Sequence, residues 1–375
     1  MKLAFITTMS TASWGGSEAL WAATVHRALA AGHDVLVSAY GWPQDASALV
    51  EMEKAGAKID RRRIDRTWRR SALRNALIDP FRKLKEFSPQ AVLVNQGGTY
   101  DISLGAEMKV LKKALVASQG WPYVMLCHCE QALPQRPRTQ QRAREAFERA
   151  AVLGMLSNNL REKSERELGV RLPNTRLFQN PLNIRESAIV PWPDDSLLRM
   201  AFVGRLEPIK GMHTLLDALG DGAWPKREWR LSVFGDGPQR QALEAQACGL
   251  GIADKIVFRG FVNGIEAVWR EHHVFVLPST QEGVPNAMLE AMLSGRPVLV
   301  TQVGGIREWV DDEINGFVAA RSDRHELGLA LERMWSRREQ LKAVGIKAFD
   351  STSEHRDADP PRTVLRWLEE IAIRR

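Results

Sequence analysis

At 375 residues, 44% apolar and 26% charged, the chain is long enough for two domains with full cores and has the composition of a soluble globular protein. Three cysteines, an odd number, argue against a disulfide framework, and no apolar run approaches the roughly twenty residues of a membrane span. The formal net charge of +7 comes without any nucleic-acid-binding motif, so it supports only nonspecific binding, and no nucleic-acid partner is expected. Residues 1–9 hold one short apolar run, 3–6, without a basic lead or a cleavable core, which predicts a cytoplasmic protein.

Strand and helix signals then alternate as in a parallel sheet with crossover helices. A strand is predicted over 2–7, a loop to Gly15 and Gly16, a helix over 17–30 ended by Gly32, and a strand from 35 to 37. Between Lys58 and Lys85 lie eleven cations against three aspartates, interleaved with Trp68, Leu73 and Phe81. Two readings of this stretch stand equal: a surface for anionic lipid or an acidic acceptor, which would place the protein peripherally on the inner face of the membrane, or a solvated, Arg-rich helix pair. Further strands are predicted at 91–94 and 123–126, with a helix over 140–150. Cys127, His128 and Cys129 look metal-like, but neighbours on a strand point to opposite faces and no second pair has finger-like spacing, so no metal is expected.

Pro191, Pro193 and paired aspartates mark 180–195 as a linker, giving a first domain over 1–185 and a second over 196–355. The second domain restarts the alternation, with strands at 200–203, 229–234, 256–258, 274–277 and 297–300 and helices at 211–219 and 239–248. The fold class is therefore α/β, with two doubly wound domains facing each other across a cleft. Residues 356–375 form a final helical segment, with Val364, Leu365, Trp367, Leu368 and Ile371 at helical spacing, that packs back on the first domain.

The chemistry concentrates in two loops of the second domain. Glu282 and Glu290 bracket a strand-to-helix junction where sugar and ribose hydroxyls could be held; Gly304 and Gly305 follow the next strand, and Glu308 opens a short helix. Arg205 and Lys210 lie between Gly204 and Gly211 in another such junction, where an anion would meet two cations and helix N–H groups. This loop is not a Walker A sequence, and the loop at 235–240 lacks the third glycine of a dinucleotide fingerprint, against a nicotinamide enzyme.

The ordered set 202–206, Lys210 with Gly211, 234–238, Gly260 with Phe261, Pro278 with Ser279, 282–292, 295–298 and Gly304 with Gly305 closely resembles the retaining glycosyltransferases of family 4, which have the GT-B fold of two Rossmann-like domains. The first half matches through 15–18 and His128. The resemblance implies metal-independent transfer from a UDP- or GDP-linked sugar, without a further cofactor, to a carbohydrate, lipid-linked or small-molecule acceptor. By position, Arg205 and Lys210 would neutralise the diphosphate in place of a divalent cation. Glu290 would take the ribose hydroxyls and Glu282 the sugar, helped by the backbone of Gly283, Val284, Pro285 and Asn286. Gly15 and Gly16 would let the first loop approach the diphosphate. His128 would hydrogen-bond the sugar or orient the reacting groups, although Cys129 and Glu130 stand where many members have Asp after the histidine. Retention is implied too, with the leaving phosphate deprotonating the acceptor; Glu282 is the alternative as a covalent nucleophile. A nucleotide-sugar epimerase and a catalytically silent binding module are the rival functions.

Overall fold

The structure, a computed structural model, describes residues 1–9, 17–42, 46–63, 79–104, 106–117, 120–134, 136–184, 188–262 and 264–374. These fall into two units, Met1–Pro181 with Asp357–Arg375, and Leu182–Arg356.

Unit 1 runs through β1 (Lys2–Thr7), α1 (Glu18–Ala30), β2 (Asp34–Gly41), α2 (Ser47–Lys54), β3 (Lys58–Arg63), α3 (Arg82–Phe87), β4 (Ala91–Gly98), α4 (Ala106–Val116), β5 (Tyr123–Cys129), α5 (Pro137–Arg149), β6 (Val152–Met155), α6 (Asn158–Leu168) and β7 (Thr175–Leu177). The strands form one parallel sheet in the order β3-β2-β1-β4-β5-β6-β7. Residues 91–94 of β4 are wholly buried, an unbroken apolar run of the kind that needs helices on both faces of the sheet. The chain starts at the centre, winds to one edge and returns beside β1, so the connections diverge between β1 and β4, where Thr7 lies opposite Asn95. Such a divergence opens a crevice at the carboxyl ends of the strands.

The basic stretch departs from the helix-pair reading, because Lys58–Arg63 is an edge strand. Arg62 is buried, 4.2 Å over the ring of Tyr40, paired with Glu107 at 2.5 Å and donating to the Thr7 carbonyl. Arg61 pairs with Glu53 at 2.7 Å, Arg82 with Glu86 at 3.1 Å, Lys83 with Asp60 at 3.3 Å, and Lys85 with Asp79. Arg66, Arg69, Arg70 and Arg74 lie outside the described residues.

Unit 2 repeats the winding through β8 (Leu198–Val203), α7 (Met212–Leu219), β9 (Trp229–Phe234), α8 (Arg240–Gly249), β10 (Ile256–Gly260), α9 (Ile265–Glu271), β11 (Val274–Leu277), α10 (Asn286–Met292), β12 (Val298–Thr301), β13 (Gly316–Ala319), α11 (Arg324–Ser336) and α12 (Leu341–His355). Its parallel sheet has the order β10-β9-β8-β11-β12-β13, so β8 and β11 flank the divergence as β1 and β4 do in unit 1. Met200, Phe202, Trp229, Trp269, Phe275 and Phe317 fill the core. Within the predicted linker, Leu182, Ile184, Val190 and Trp192 pack against that core. Glu308 closes a single 3-10 turn, Ile306–Glu308, and opens no helix, because Trp309 already leaves the helical region.

The chain then returns to unit 1 as α13 (Pro360–Ile373). Asp359 caps it by accepting from the Arg362 N–H at 3.2 Å, and Pro360 suits the first turn, where no N–H is needed. Trp367 and Leu368 are buried; Arg27 of α1 pairs with Asp359 at 2.9 Å, and His33, in the turn after α1, with Glu369 at 3.1 Å. No helix among the described residues is long and apolar enough to cross a membrane.

Candidate active site

In unit 2 the loop after β8 folds over the end of β11. Its last turn, Pro208–Lys210, is stopped by Gly211, whose φ of +66° is left-handed and whose missing Cβ would overlap the Pro278 carbonyl. The Thr280 N–H donates to the Ile209 carbonyl at 2.8 Å and ties the two loops together. This contact brings Lys210 Nζ to 2.6 Å from Glu282 Oε1, across 72 residues of sequence. The Ser279 hydroxyl donates to the same carboxylate oxygen at 2.6 Å. With side chains only 17% and 10% exposed, Lys210 and Glu282 form a shielded ion pair at the carboxyl ends of the two strands that flank the divergence. That is the place where open parallel sheets hold ligands.

Arg205 is not drawn into this pair. Its guanidinium meets Glu207 at 2.6 Å and is 72% exposed. The loop that carries it is clamped from the other side: Gly204 N–H donates to the Phe234 carbonyl at 2.9 Å and Leu206 N–H to the Asp236 carbonyl at 2.9 Å. Gly235, with φ +128°, allows that approach, since a Cβ would strike the Gly204 carbonyl. The motif at 234–238 therefore has a packing task, holding the Arg205 loop in place.

Beyond Glu282, the Gly283 carbonyl accepts from the Gly305 N–H at 2.8 Å, so the two glycine-bearing loops support each other. Val284 packs on the core, Pro285 precedes α10 in extended conformation and Asn286 begins the helix. Glu290 is 3% exposed, and its Oε1 accepts the Asn183 N–H at 2.8 Å. Burial raises its carboxyl above the ordinary value, partly offset by the bonds from Asn183. A carboxylate among apolar neighbours needs a partner, and here the partner is the start of the segment that enters unit 2.

In unit 1, Gly15 and Gly16 lie outside the described residues. His128, on the penultimate position of β5, is 6% exposed, with its ring edge-on to Phe178 at 5.0 Å. Its Nε2 faces Asn95 Oδ1 at 2.7 Å, and its Nδ1 finds no hydrogen-bond partner among the described residues. Burial pushes the imidazole down to about 3, against a smaller upward pull from the Asn180 side chain, which lies within hydrogen-bonding reach of the ring. His272 and His273 are also pushed down by burial.

These shifts fix a pH dependence. The unfolded chain takes up protons below about 6.5, while the buried rings stay neutral. Stability is therefore complete above that pH and is lost as the pH falls towards the folded value, by up to about tenfold in the unfolding constant per pH unit for each ring. Asp101 and Glu290, both raised by burial, act in the opposite sense at lower pH. Unfolding titrations between pH 8 and 5.5 should show a shallower loss in His128→Gln than in the parent chain; equal slopes would show that this ring contributes nothing.

Ser279 stood in the ordered motif set without a role of its own, and Asn183 was not singled out from sequence. Ser279 stands three residues before Glu282 at the end of a strand, a spacing that could have flagged it. Nothing local marks Asn183, since its N–H reaches Glu290 from 107 residues away.

Two parallel α/β units with this strand order are the parts of the GT-B fold. The structure superposes on that of HepE from Anabaena, solved with UDP, with a TM-score of 0.76, 18% identity and full coverage of both chains. Residues 198–337 match the family Glycosyl transferases group 1. An uncharacterized glycosyltransferase of Methanocaldococcus jannaschii is 32% identical over 169 residues, 44% of this chain and 42% of that protein. The 2-deoxystreptamine glucosyltransferase of Streptomyces kanamyceticus is 27% identical over 258 residues, 62% of this chain and 67% of that one. The unit that holds Lys210, Glu282 and Glu290 thus resembles the group 1 glycosyltransferases over residues 198–337.

Proposed function

We propose that this protein is a retaining glycosyltransferase that moves a sugar from a nucleoside diphosphate sugar to an acceptor hydroxyl in the synthesis of a glycan, polysaccharide or glycolipid. The observation that carries the reading is the shielded Lys210–Glu282 pair, set at the divergence of the unit 2 sheet and buttressed by Ser279. In this reading the Lys210 ammonium neutralises the diphosphate and stabilises the charge that builds on it as the glycosidic bond breaks, the largest electrostatic contribution such a site can make. Arg205, exposed on its clamped loop, adds a second cation once the donor is bound. Glu282, held at Oε1 by two donors, presents Oε2 to the sugar hydroxyls, while Glu290 takes the ribose. Gly15 and Gly16 are assigned to donor binding, and His128 to a hydrogen bond with the sugar or to orienting the reacting groups. Acceptor recognition is assigned to unit 1.

That HepE was solved with UDP makes uridine diphosphate sugars the first donors to try, with guanosine diphosphate sugars as the second arm. The right donor should raise the melting temperature by mass action and release nucleoside diphosphate when an acceptor is supplied. Isomerised sugar from donor alone would replace this reading by an epimerase, and binding without turnover by a silent module. Retention is tested by NMR of the product anomer, an inverted product refuting it.

A further inference from the structure

The Lys210–Glu282 pair depends on a turn, residues 278–280, whose own carbonyls have left the sheet. β11 pairs with β12 as far as Leu277 opposite Val300. Pro278 then brings no N–H to the ladder, and the chain turns away. The carbonyls of Pro278 and Ser279 are left without strand partners, and both residues are buried, so each carbonyl needs another donor.

Two hydroxyls supply them. Thr301 Oγ1, wholly buried at the end of β12, donates to the Ser279 carbonyl, and Ser322 Oγ, after β13, donates to the Pro278 carbonyl. A carbonyl can only accept, so the one proton of each hydroxyl is committed and the directions of both bonds are fixed.

The turn they hold is the one that sets the ion pair. The Ser279 hydroxyl donates to Glu282 Oε1 at 2.6 Å, the same oxygen that meets Lys210 Nζ at 2.6 Å. One residue on, the Thr280 N–H donates to the Ile209 carbonyl at 2.8 Å and fixes the residue before Lys210. Gly211, the residue after it, is seated against the Pro278 carbonyl and against Ser322, whose Oγ would lie 2.6 Å from a Cβ there. Lys210 is thus held through both of its chain neighbours, and Glu282 through Ser279.

We infer that Thr301 and Ser322 are positioning residues for transfer: acting through the 278–280 turn, they set Ser279, Ile209 and Gly211 and so fix the Lys210 ammonium against Glu282. Satisfying two buried carbonyls would by itself affect stability alone. Here the same carbonyls belong to the residues that place the two reactive side chains, so losing either hydroxyl moves a charge and its counter-charge relative to each other. The link to turnover rests on the transferase reading, whereas the hold on the ion pair does not.

The test follows the whole protein by two readings: the rate at which dilute acetic anhydride acetylates Lys210, resolved by mass spectrometry, and the steady-state constants with the donor chosen by thermal shift. In the parent chain Lys210 should react more slowly than the exposed Lys342; equal rates overturn the inference without any variant having to fold. Thr301→Val and Ser322→Ala should each raise acetylation of Lys210 severalfold and lower kcat on the order of tenfold, with donor KM moving less, as expected when reacting groups are misplaced. Thr301→Ser, which keeps the hydroxyl, should restore both readings. Thr24→Val removes a buried hydroxyl that donates to the Leu20 carbonyl at 2.8 Å in α1, and should leave both at the parent values. Acetylation at the parent rate in Thr301→Val overturns the hold, and faster acetylation with unchanged kcat overturns the positioning role. Faster acetylation with no transfer from any donor would sink the transferase reading and leave the hold standing.

Discussion

Lys210→Ala is expected to lower kcat/KM for sugar transfer by about two to three orders of magnitude, the range found when one preorganised charge stabiliser is removed. The geometry argues for an effect on chemistry with little effect on folding. Lys210 is held by a single carboxylate, and Glu282 keeps its bond from Ser279 when the ammonium is gone. What the variant loses is a cation already drawn into the sheet divergence, where low exposure keeps water from screening it. Arg205→Ala should cost less, because its guanidinium is 72% exposed and paired with Glu207. Lys210→Arg is not a conservative rescue, since a planar fork cannot replace a compact ammonium between Ser279, Glu282 and a phosphate. The measurement is nucleoside diphosphate release with the donor chosen by thermal shift, and turnover in Lys210→Ala equal to the parent would remove Lys210 from the diphosphate site.

The ordering of these effects could not be read from sequence. Arg205 and Lys210 look equivalent in the loop from Gly204 to Gly211, and only the register of β8 beside β11 decides which of them meets Glu282. What was legible was local: the strands of unit 2 announce themselves as apolar runs ending in glycine- or proline-bearing loops, so Trp229–Phe234 and Val274–Leu277 are found where the pattern puts them. β3 was hidden for a physical reason. It is an edge strand whose inward positions are filled by Asp60 and Arg62, and hydrophobic alternation, the signal for a half-buried strand, is absent from it. β6 was hidden because Gly154 interrupts its short apolar run, and β7 because it has only three residues, Thr175–Leu177. The hydrogen-bonded Glu18–Asn95–His128 chain was invisible for yet another reason: its members come from the start of α1, from β4 and from β5, which are neighbours only because the winding reverses between β1 and β4. Glu18 was recognisable as part of a motif, but its partners were not.

Arg296→Ala is expected to destabilise unit 2 by about 3–5 kcal/mol, the cost of stripping a buried, fully bonded charge from its partners. Arg296 is wholly buried, and among the described residues its charge is held by carbonyl oxygens and by no carboxylate. Nε donates to the Trp269 and His272 carbonyls at 2.8 Å each, Nη1 to Val190 at 3.3 Å and Nη2 to Pro191 at 2.5 Å, with the guanidinium 5.0 Å over the ring of Trp192. Burial pushes its ionisation down to about 10, which still leaves a cation at neutral pH. One side chain therefore fastens the segment that enters unit 2 onto the end of α9, and alanine would take a donor from six carbonyls, those of Val190, Pro191, Trp269, His272, Ser294 and Gly295. Lysine should not restore stability, because three donors on one nitrogen cannot reach carbonyls spread along two segments. Intrinsic tryptophan fluorescence in a denaturant titration should report a transition shifted to lower midpoint in both variants, and heating should show a melting temperature lower by roughly 10 °C. An unchanged midpoint in Arg296→Ala would mean that the segment holds itself, through Leu182, Ile184 and Val190 on the core, and that the carbonyls find water when the guanidinium is removed.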